Sequence, residues 1–413
     1  MARLAELPAE LVLHIVSFLT REVIIEDLLR GVSYSPLKKK DILPDFSSIN
    51  ALSRTNSVFH HALNHNLYQL CTSVESLGRL ALLFAVKHNS EAAFNKLVAV
   101  GVSVDGEFEC KFWFTGIDLF SLLHIAAGMG SSLIVPKLLG MYGSETPERV
   151  YACDAHDLSA LDYAVLEGHM EIVKLLAPKA VVFSSLTSAG LPISDDRLQV
   201  HKQYLSRALL HSATRATNIA ICEYLLSEGA DVNFQGTTHL RSSPLGGAAQ
   251  NDNLPTMQLL LGAGADPNLR NRDGFVPLFK AVSVSAAQAL LDAGAHIHAT
   301  DNAGRNAVTH RVVEGGEALR FLLERGVDPN HVDEEGWTPL HYACWVPSVS
   351  SVATIELLFQ FGATTVEKAV NDGRTPVDLA IRTGKTDVVR LLEPLIQDPV
   401  RKARIAEWLE GRA

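Results

Sequence analysis

The sequence holds little cysteine, and what it has is badly placed for chemistry. Cys71, Cys110, Cys153, Cys222 and Cys344 are scattered, odd in number and form no CxxC pair. That spacing argues against a disulfide framework and a zinc ribbon, and it fits a reducing compartment, the cytosol or the nucleus. No apolar run approaches the roughly 18 residues that cross a bilayer, so no membrane partner is expected. Positive charge is short as well: 36 Lys and Arg stand against 46 Asp and Glu, a net charge of −10. General binding to nucleic acid needs a basic surface and is likewise not expected. Catalytic signatures are missing too: there is no GxSxG, no HExxH, no Cys/His signature and no recognisable carboxylate pair. "TGKTD" (383–387) ends like a phosphate-binding loop, but that pattern needs a glycine where Leu379 stands. His61 and His65 lie one helical turn apart with no further ligand nearby. The expectation is a protein with no enzymatic activity, metal or cofactor.

What is present is a folded chain, 47% apolar and 20% charged. Its charge is uneven. Residues 1–77 carry seven basic and eight acidic side chains, so nearly all of the negative excess lies beyond them. That excess reads either as a solvated acidic surface or as a hint of a basic partner.

The dominant pattern is repetition. Leu245, Leu278, Val308, Leu340 and Val377 occupy equivalent places, at steps of 33, 30, 32 and 37 residues. In the clearest unit, "TPLHYACW" (338–345), Thr338 is placed to cap a helix and Pro339 to fill its first turn, where the missing N–H costs nothing. The small residues Ala281, Ala343 and Ala380 let neighbouring helices approach closely. A second helix follows with paired leucines such as Leu260-Leu261 and Leu322-Leu323. Gly264, Gly294, Gly326 and Gly362 fall where that helix must end at positive φ. A polar turn such as "DPN" then opens an extended loop.

The TPLH-like opening, the paired leucines and the G-A-D-x-N ending together resemble the ankyrin repeat family. That resemblance implies an all-α solenoid of helix pairs with β-hairpin loops. It covers 206–394 strongly and extends upstream through 80–105, 121–139 and 159–176, about nine units in all. His124, His310 and His341 fall at or beside the family's TPLH histidine, which implies hydrogen bonding between repeats. The organisation expected is an array over 78–397 and a capping helix over 398–413. Longer insertions are expected at 103–120 and 177–204, on loops that often carry binding residues. Phe112 and Trp113, with other aromatics of the first insertion, read equally as contact residues or as a loop folded over the stack. Trp337, beside the acidic "DEE", is a candidate contact at a loop between repeats. Trp345 is expected between helices.

The first 77 residues belong to no repeat. "LPAELVLHIVSFL" (7–19) is too charged for a secretion signal and has no cleavage site. Leu7, Leu11, Ile15 and Leu19 lie four apart on one helical stripe, with Pro8 in the first turn. With "INALSRTNSVFHHALNHNLY" (49–68), the stretch resembles the F-box as it occurs in fungal proteins with C-terminal ankyrin repeats. In this chain an insertion, 20–48, separates the two halves. The resemblance implies a helical module that docks a Skp-family adaptor through Leu7, Pro8, Leu11, Ile15, Leu19, Leu52 and Phe59. It implies in turn a cullin ligase core as the larger partner and a protein substrate on the repeats, with cytoplasmic or nuclear placement. The other reading keeps the repeats as a binding scaffold and makes the N-terminal helices a cap or a dimer contact.

Overall fold

The computed structural model describes residues 20–21, 43–44, 75–111, 117–183, 193–215, 218–236, 242–346 and 351–411. They form two compact units, Met1–Tyr204 and Leu205–Ala413. The boundary falls inside the helix Asp195–Ala213.

The described residues of unit one include three helix pairs: Glu75–Lys87 with Glu91–Ala99, Leu122–Gly128 with Val135–Tyr142, and Ala160–Leu166 with Met170–Leu176. The second and third pairs begin from local chemistry. Ser121 accepts the His124 N–H, and Ser159 forms a reciprocal capping box with Asp162, so end donors that would stay unpaired are met. Every residue of Leu122–Gly128 is buried, and Ala126 and Ala127 leave room for the helix Ala160–Leu166 beside it. Within the insertion 20–48, Thr20–Arg21 and Leu43–Pro44 pair as short antiparallel strands.

The insertion at 103–120 is a β-hairpin, Glu107–Lys111 against Ile117–Ser121, with Phe108 facing Phe120 across the ladder. Both rings are buried, and Phe120 meets Tyr163 edge-on at 5.7 Å. The hairpin root is thus folded over the stack. Phe112 and Trp113 lie outside the described residues.

The stretch 177–204 is less a loop than its sequence suggests. It contains the helix Lys179–Val182 and the first turns of Asp195–Ala213. The long helix carries its buried stripe through His201, Tyr204, Leu205, Ala208, Leu209 and Ser212. Spacing of three to four is present, but its early members are polar-tipped and read as loop. His201 Nδ1 lies 2.9 Å from the Tyr151 hydroxyl, within hydrogen-bond distance, and the Phe183 ring lies 5.9 Å away. Burial, and then the charge of Lys179, push His201 down to about 4.

Unit two continues with the pairs Pro244–Gln250 with Leu254–Gly262, Pro277–Lys280 with Val284–Asp292, and Ala307–Arg311 with Gly316–Glu324. Pro339–Trp345 with Ser351–Gln360, and Pro376–Arg382 with Thr386–Leu392, follow. Leu260, Leu290, Leu322, Leu358 and Leu392 are at most 1% exposed and form its spine. Burying each contributes about 2 kcal/mol. Gly264 (φ +90°) and Gly294 (φ +91°) end their helices in the left-handed region, where a side chain would be strained.

Two repeats depart from the common length by three residues, and a cation from the next repeat mends each. Leu278 to Leu290 spans twelve residues where Leu245 to Leu260 spans fifteen, and the helix Pro277–Lys280 is cut to four residues. Arg311 reaches back to donate to the Ala281 carbonyl at 3.2 Å. Leu340 to Leu358 is three residues longer, and Lys385 donates to the Ala343 and Val346 carbonyls at the end of that helix.

A side-chain ladder joins successive polar turns. Asn268 donates to the Gly294 carbonyl (2.9 Å) and accepts from the His296 N–H (2.8 Å). Asn233 does the same with Gly264 and Asp266, and Asn330 with Gly362 and Thr364. At the equivalent place stands His298, exposed, and the corresponding bonds to Gly326 and Asp328 are not made. His298→Asn should restore both and raise stability by about 1 kcal/mol. A urea unfolding midpoint no higher than that of the native chain would count against the ladder as a stabilising device.

The helix Pro399–Glu410 ends the chain with Ile405 fully buried. Asp398 caps it, and Glu367 accepts the N–H groups of Gln397 and Asp398 at 2.9 Å each, which fixes its entry angle.

Candidate functional site

The side chains best placed for recognition gather in unit two, on the side of the first helix of each pair that faces the loop before it. One device positions them. Asp301 opens the turn of its loop and is buried there, and its Oδ1 accepts the N–H groups of Ala303 and Arg305 at 2.9 Å each. Its Oδ2 accepts from Arg305 Nε (2.7 Å) and His310 Nε2 (3.0 Å). Asp333 repeats the pattern with Glu335 and Trp337, and its Oδ2 accepts the Tyr342 hydroxyl at 2.6 Å. In unit one Asp154 does so with His156, Leu158 and the Tyr163 hydroxyl. Each aspartate is nine residues before its ring partner, so the loop is tied to the helix that follows it.

These ties set the electrostatics. Burial opposes ionisation of Asp301, but the bonds from His310 and from Arg305 outweigh it, and its carboxyl is lowered to about 2. His310 is pushed down by burial and stays neutral, its ring stacked on Phe279 at 4.6 Å and against Phe275 at 4.5 Å. Arg305 and Lys280 both approach the Phe275 ring, at 5.7 and 5.3 Å. Burial, and then the bond to Asp333, raise Tyr342.

Further along, Trp337 lies 5.0 Å from Tyr342 and meets Trp345 edge-on at 6.1 Å. The Arg382 guanidinium covers the Trp345 ring at 5.2 Å. Trp337, Tyr342 and Trp345 are all half-buried. The result is a contiguous set of indole, phenol and guanidinium groups, each held by a helix or a tied loop. Such a set suits a protein contact, because Trp, Tyr and Arg offer large area with few rotamers to freeze.

Of the residues singled out from sequence, Trp337 is in this set. Its root is pinned through its N–H to Asp333 Oδ1, so it stands at the base of its loop rather than at a free tip. Trp345 is only half-buried, on the face and not closed between helices. Leu7, Pro8, Leu11, Ile15, Leu19, Leu52, Phe59, Phe112 and Trp113 lie outside the described residues. Sequence reading missed Tyr342, Arg305 and Arg382; the signal was the D-x8-Y/H spacing at 154/163, 301/310 and 333/342. His124 and His341 bridge to the next loop, through Nε2 to the Ala152 and Lys368 carbonyls at 3.1 and 2.9 Å.

No group of three His, Cys, Asp or Glu among the described residues is arranged to hold a metal ion. No helix among them is long and apolar enough to cross a membrane.

Comparison with protein families gives the same architecture. The family model described as ankyrin repeats (3 copies) matches residues 123–236, 245–333, 278–368 and 309–402. Palmitoyltransferase AKR1 of Lachancea kluyveri is 28% identical over 38% of this chain and 22% of its own length. A putative ankyrin repeat protein of fowlpox virus is 28% identical over 56% of this chain and 37% of its own. Human ankyrin repeat and SOCS box protein 6 is 27% identical over 50% of this chain and 47% of its own. The chain thus spans less than half the length of each of these relatives. Among solved structures, an ankyrin repeat domain from Acinetobacter baumannii is 26% identical, with a TM-score of 0.37 over 45% of this chain and 96% of that one.

Proposed function

Since the chain belongs to the ankyrin repeat family, with repeats matched across more than half of its length, we propose that it acts by holding other proteins and carries out no chemistry itself. The observation that carries this reading is the face built by Trp337, Tyr342, Trp345 and Arg382. Its groups are of the kinds that dominate interface energies, and they sit on helices and tied loops that lose little freedom on binding.

The finer reading is that of a substrate receptor in an SCF-type ubiquitin ligase. Leu7, Pro8, Leu11, Ile15 and Leu19, with Leu52 and Phe59, dock a Skp-family adaptor, and the repeats hold the substrate. The support is the "LPAELVLHIVSFL" and "INALSRTNSVFHHALNHNLY" pair, which lies outside the repeats. Ankyrin repeats accompany a different module, a SOCS box, in the human relative. Here the mechanism is proximity: a stiff stack raises the effective concentration of substrate beside a charged ubiquitin-transfer enzyme.

The test is co-purification with the Skp-family adaptor. The native chain should capture it, and Leu7→Ala/Pro8→Ala should reduce capture by tenfold or more with the helical circular dichroism unchanged. A chain that captures no adaptor, or a double variant that captures as much as the native one, leaves the scaffold reading in its place.

A further inference from the structure

We propose that the cleft between the last helix pair and the helix Pro399–Glu410 binds an acidic segment of the partner protein. The proposal deepens the reading of unit two as a protein-binding face, and it does not depend on the ligase assignment.

The cleft, of about 520 Å³, is lined by Arg374, Arg382, Arg401, Arg404, Ile381 and Trp408, with two carboxylates, Asp372 and Asp378. Four guanidiniums thus face two acids, an excess of two positive charges in a chain whose net charge is −10. Both acids are paired with arginines of the cleft itself, which leaves the excess of two positive charges for a ligand. Asp378 Oδ2 accepts the Thr375 N–H and hydroxyl in a capping box, while Oδ1 is in contact with Arg404. Arg401 Nε lies 3.9 Å from the same carboxylate, so one aspartate serves a helix start and two arginines. Asp372 pairs with Arg374, which holds its carboxyl below the ordinary range.

Arg382 completes the set. It is exposed, makes no ion pair among the described residues, and lies over the Trp345 ring, 5.2 Å from its centroid. A guanidinium attracted to the face of a ring keeps N–H donors open to a carboxylate. Ile381 and Trp408 supply an apolar wall, so the matching ligand alternates carboxylates with apolar side chains. The volume accommodates two or three residues of an extended chain. Through Arg382 and Trp345 the cleft continues into Trp337 and Tyr342, giving a longer segment aromatic contacts beyond the charged ones.

The negative surplus of the rest of the chain does not cancel this local field. At physiological salt the Debye length is about 8 Å, so charges elsewhere in the chain are largely screened while a bound carboxylate contacts the arginines directly. Binding should therefore depend on salt and reject basic peptides.

The experiment uses the full chain and two fluorescein-labelled heptapeptides followed by anisotropy. One is Glu-Glu-Leu-Glu-Phe-Glu-Glu; in the other every Glu is replaced by Lys. The acidic peptide should bind, more weakly as sodium chloride rises from about 50 to about 300 mM, and the basic one should not. Arg374→Ala/Arg382→Ala should weaken the acidic peptide tenfold or more, about 1.4 kcal/mol. Neither side chain makes a capping hydrogen bond, the box being formed by Thr375 and Asp378, so the variant should keep the native melting profile; Arg382→Lys, which keeps charge but loses the planar fork, should fall in between. Equal binding of both peptides, or a double variant within twofold of the native chain, overturns the proposal. Leu7→Ala/Pro8→Ala should bind the acidic peptide as the native chain does. Adaptor capture without peptide binding therefore fails this site alone, and peptide binding without adaptor capture fails the ligase reading alone.

Discussion

Between pH 6.5 and pH 4 His341 should contribute a loss of about 3 kcal/mol of stability, beside the loss from His201, which burial also pushes down to about 4. Its Nδ1 accepts from Thr338 N–H (3.1 Å) and lies 2.8 Å from the Thr338 hydroxyl, and its Nε2 donates to the Lys368 carbonyl at 2.9 Å. The ring is 0% exposed and is used in full as a neutral imidazole. Burial pushes it down to about 4, offset only in part by the bond to Lys368. As pH falls through the ordinary value of 6.5, the unfolded chain takes up a proton at this position and the folded chain does not. Stability is therefore complete above 6.5 and falls until the folded ring titrates as well. Urea unfolding followed at several pH values checks this. His341→Gln should be less stable at neutral pH by about 2 kcal/mol, through lost buried bonds, yet flatter across this window. A variant with the native pH slope would remove His341 as the cause.

The second large effect belongs to Asp301. Asp301→Ala should cost about 3 kcal/mol, because two loop N–H groups, the Arg305 guanidinium and the His310 ring all lose one acceptor together. Asp301→Asn should cost less. Asn271 already plays the backbone part of the role one repeat earlier, accepting the N–H groups of Asp273 and Phe275. The amide keeps those loop bonds and gives up the charge-assisted pair. The acid behaviour differs from that of His341. A carboxyl held near 2 adds stability that is full above its ordinary value of 3.8 and is lost as pH falls towards 2, about 2 kcal/mol in all. The two groups therefore fail in sequence on acidification, His341 first. Unfolding curves at pH 7, 4.5 and 2.5 for the native chain and Asp301→Asn separate them, since only the lower step should shrink in the variant.

Much of the repeat architecture was legible in the sequence because its signals are local. Thr338, Pro339 and Gly264 act within one turn of themselves, and the buried leucines are fixed by period. The missed parts depend on partners distant in the chain. The turns of Asp195–Ala213 before Leu205 are buried through His201 and Tyr204, whose polarity hides them until Tyr151 and Phe183 are in place. Arg311 and Lys385 look like ordinary surface cations, and only the altered length of the preceding repeat shows what they repair. The binding face was half legible. Trp337 stood out as an aromatic beside acids, whereas Arg382 gains its meaning from a tryptophan 37 positions earlier.

The asparagine ladder also gives the array a direction. Asn233, Asn268 and Asn330 each bond forward, to the carbonyl and N–H of the following turn. Cutting the chain after one of these turns strips the asparagine of two partners, whereas cutting before it deletes the asparagine and leaves solvent to meet two backbone groups. Shortening from the two ends is therefore not equivalent. A gene that grows or shrinks by whole units keeps its bonds when the breakpoint takes each asparagine together with the turn it serves.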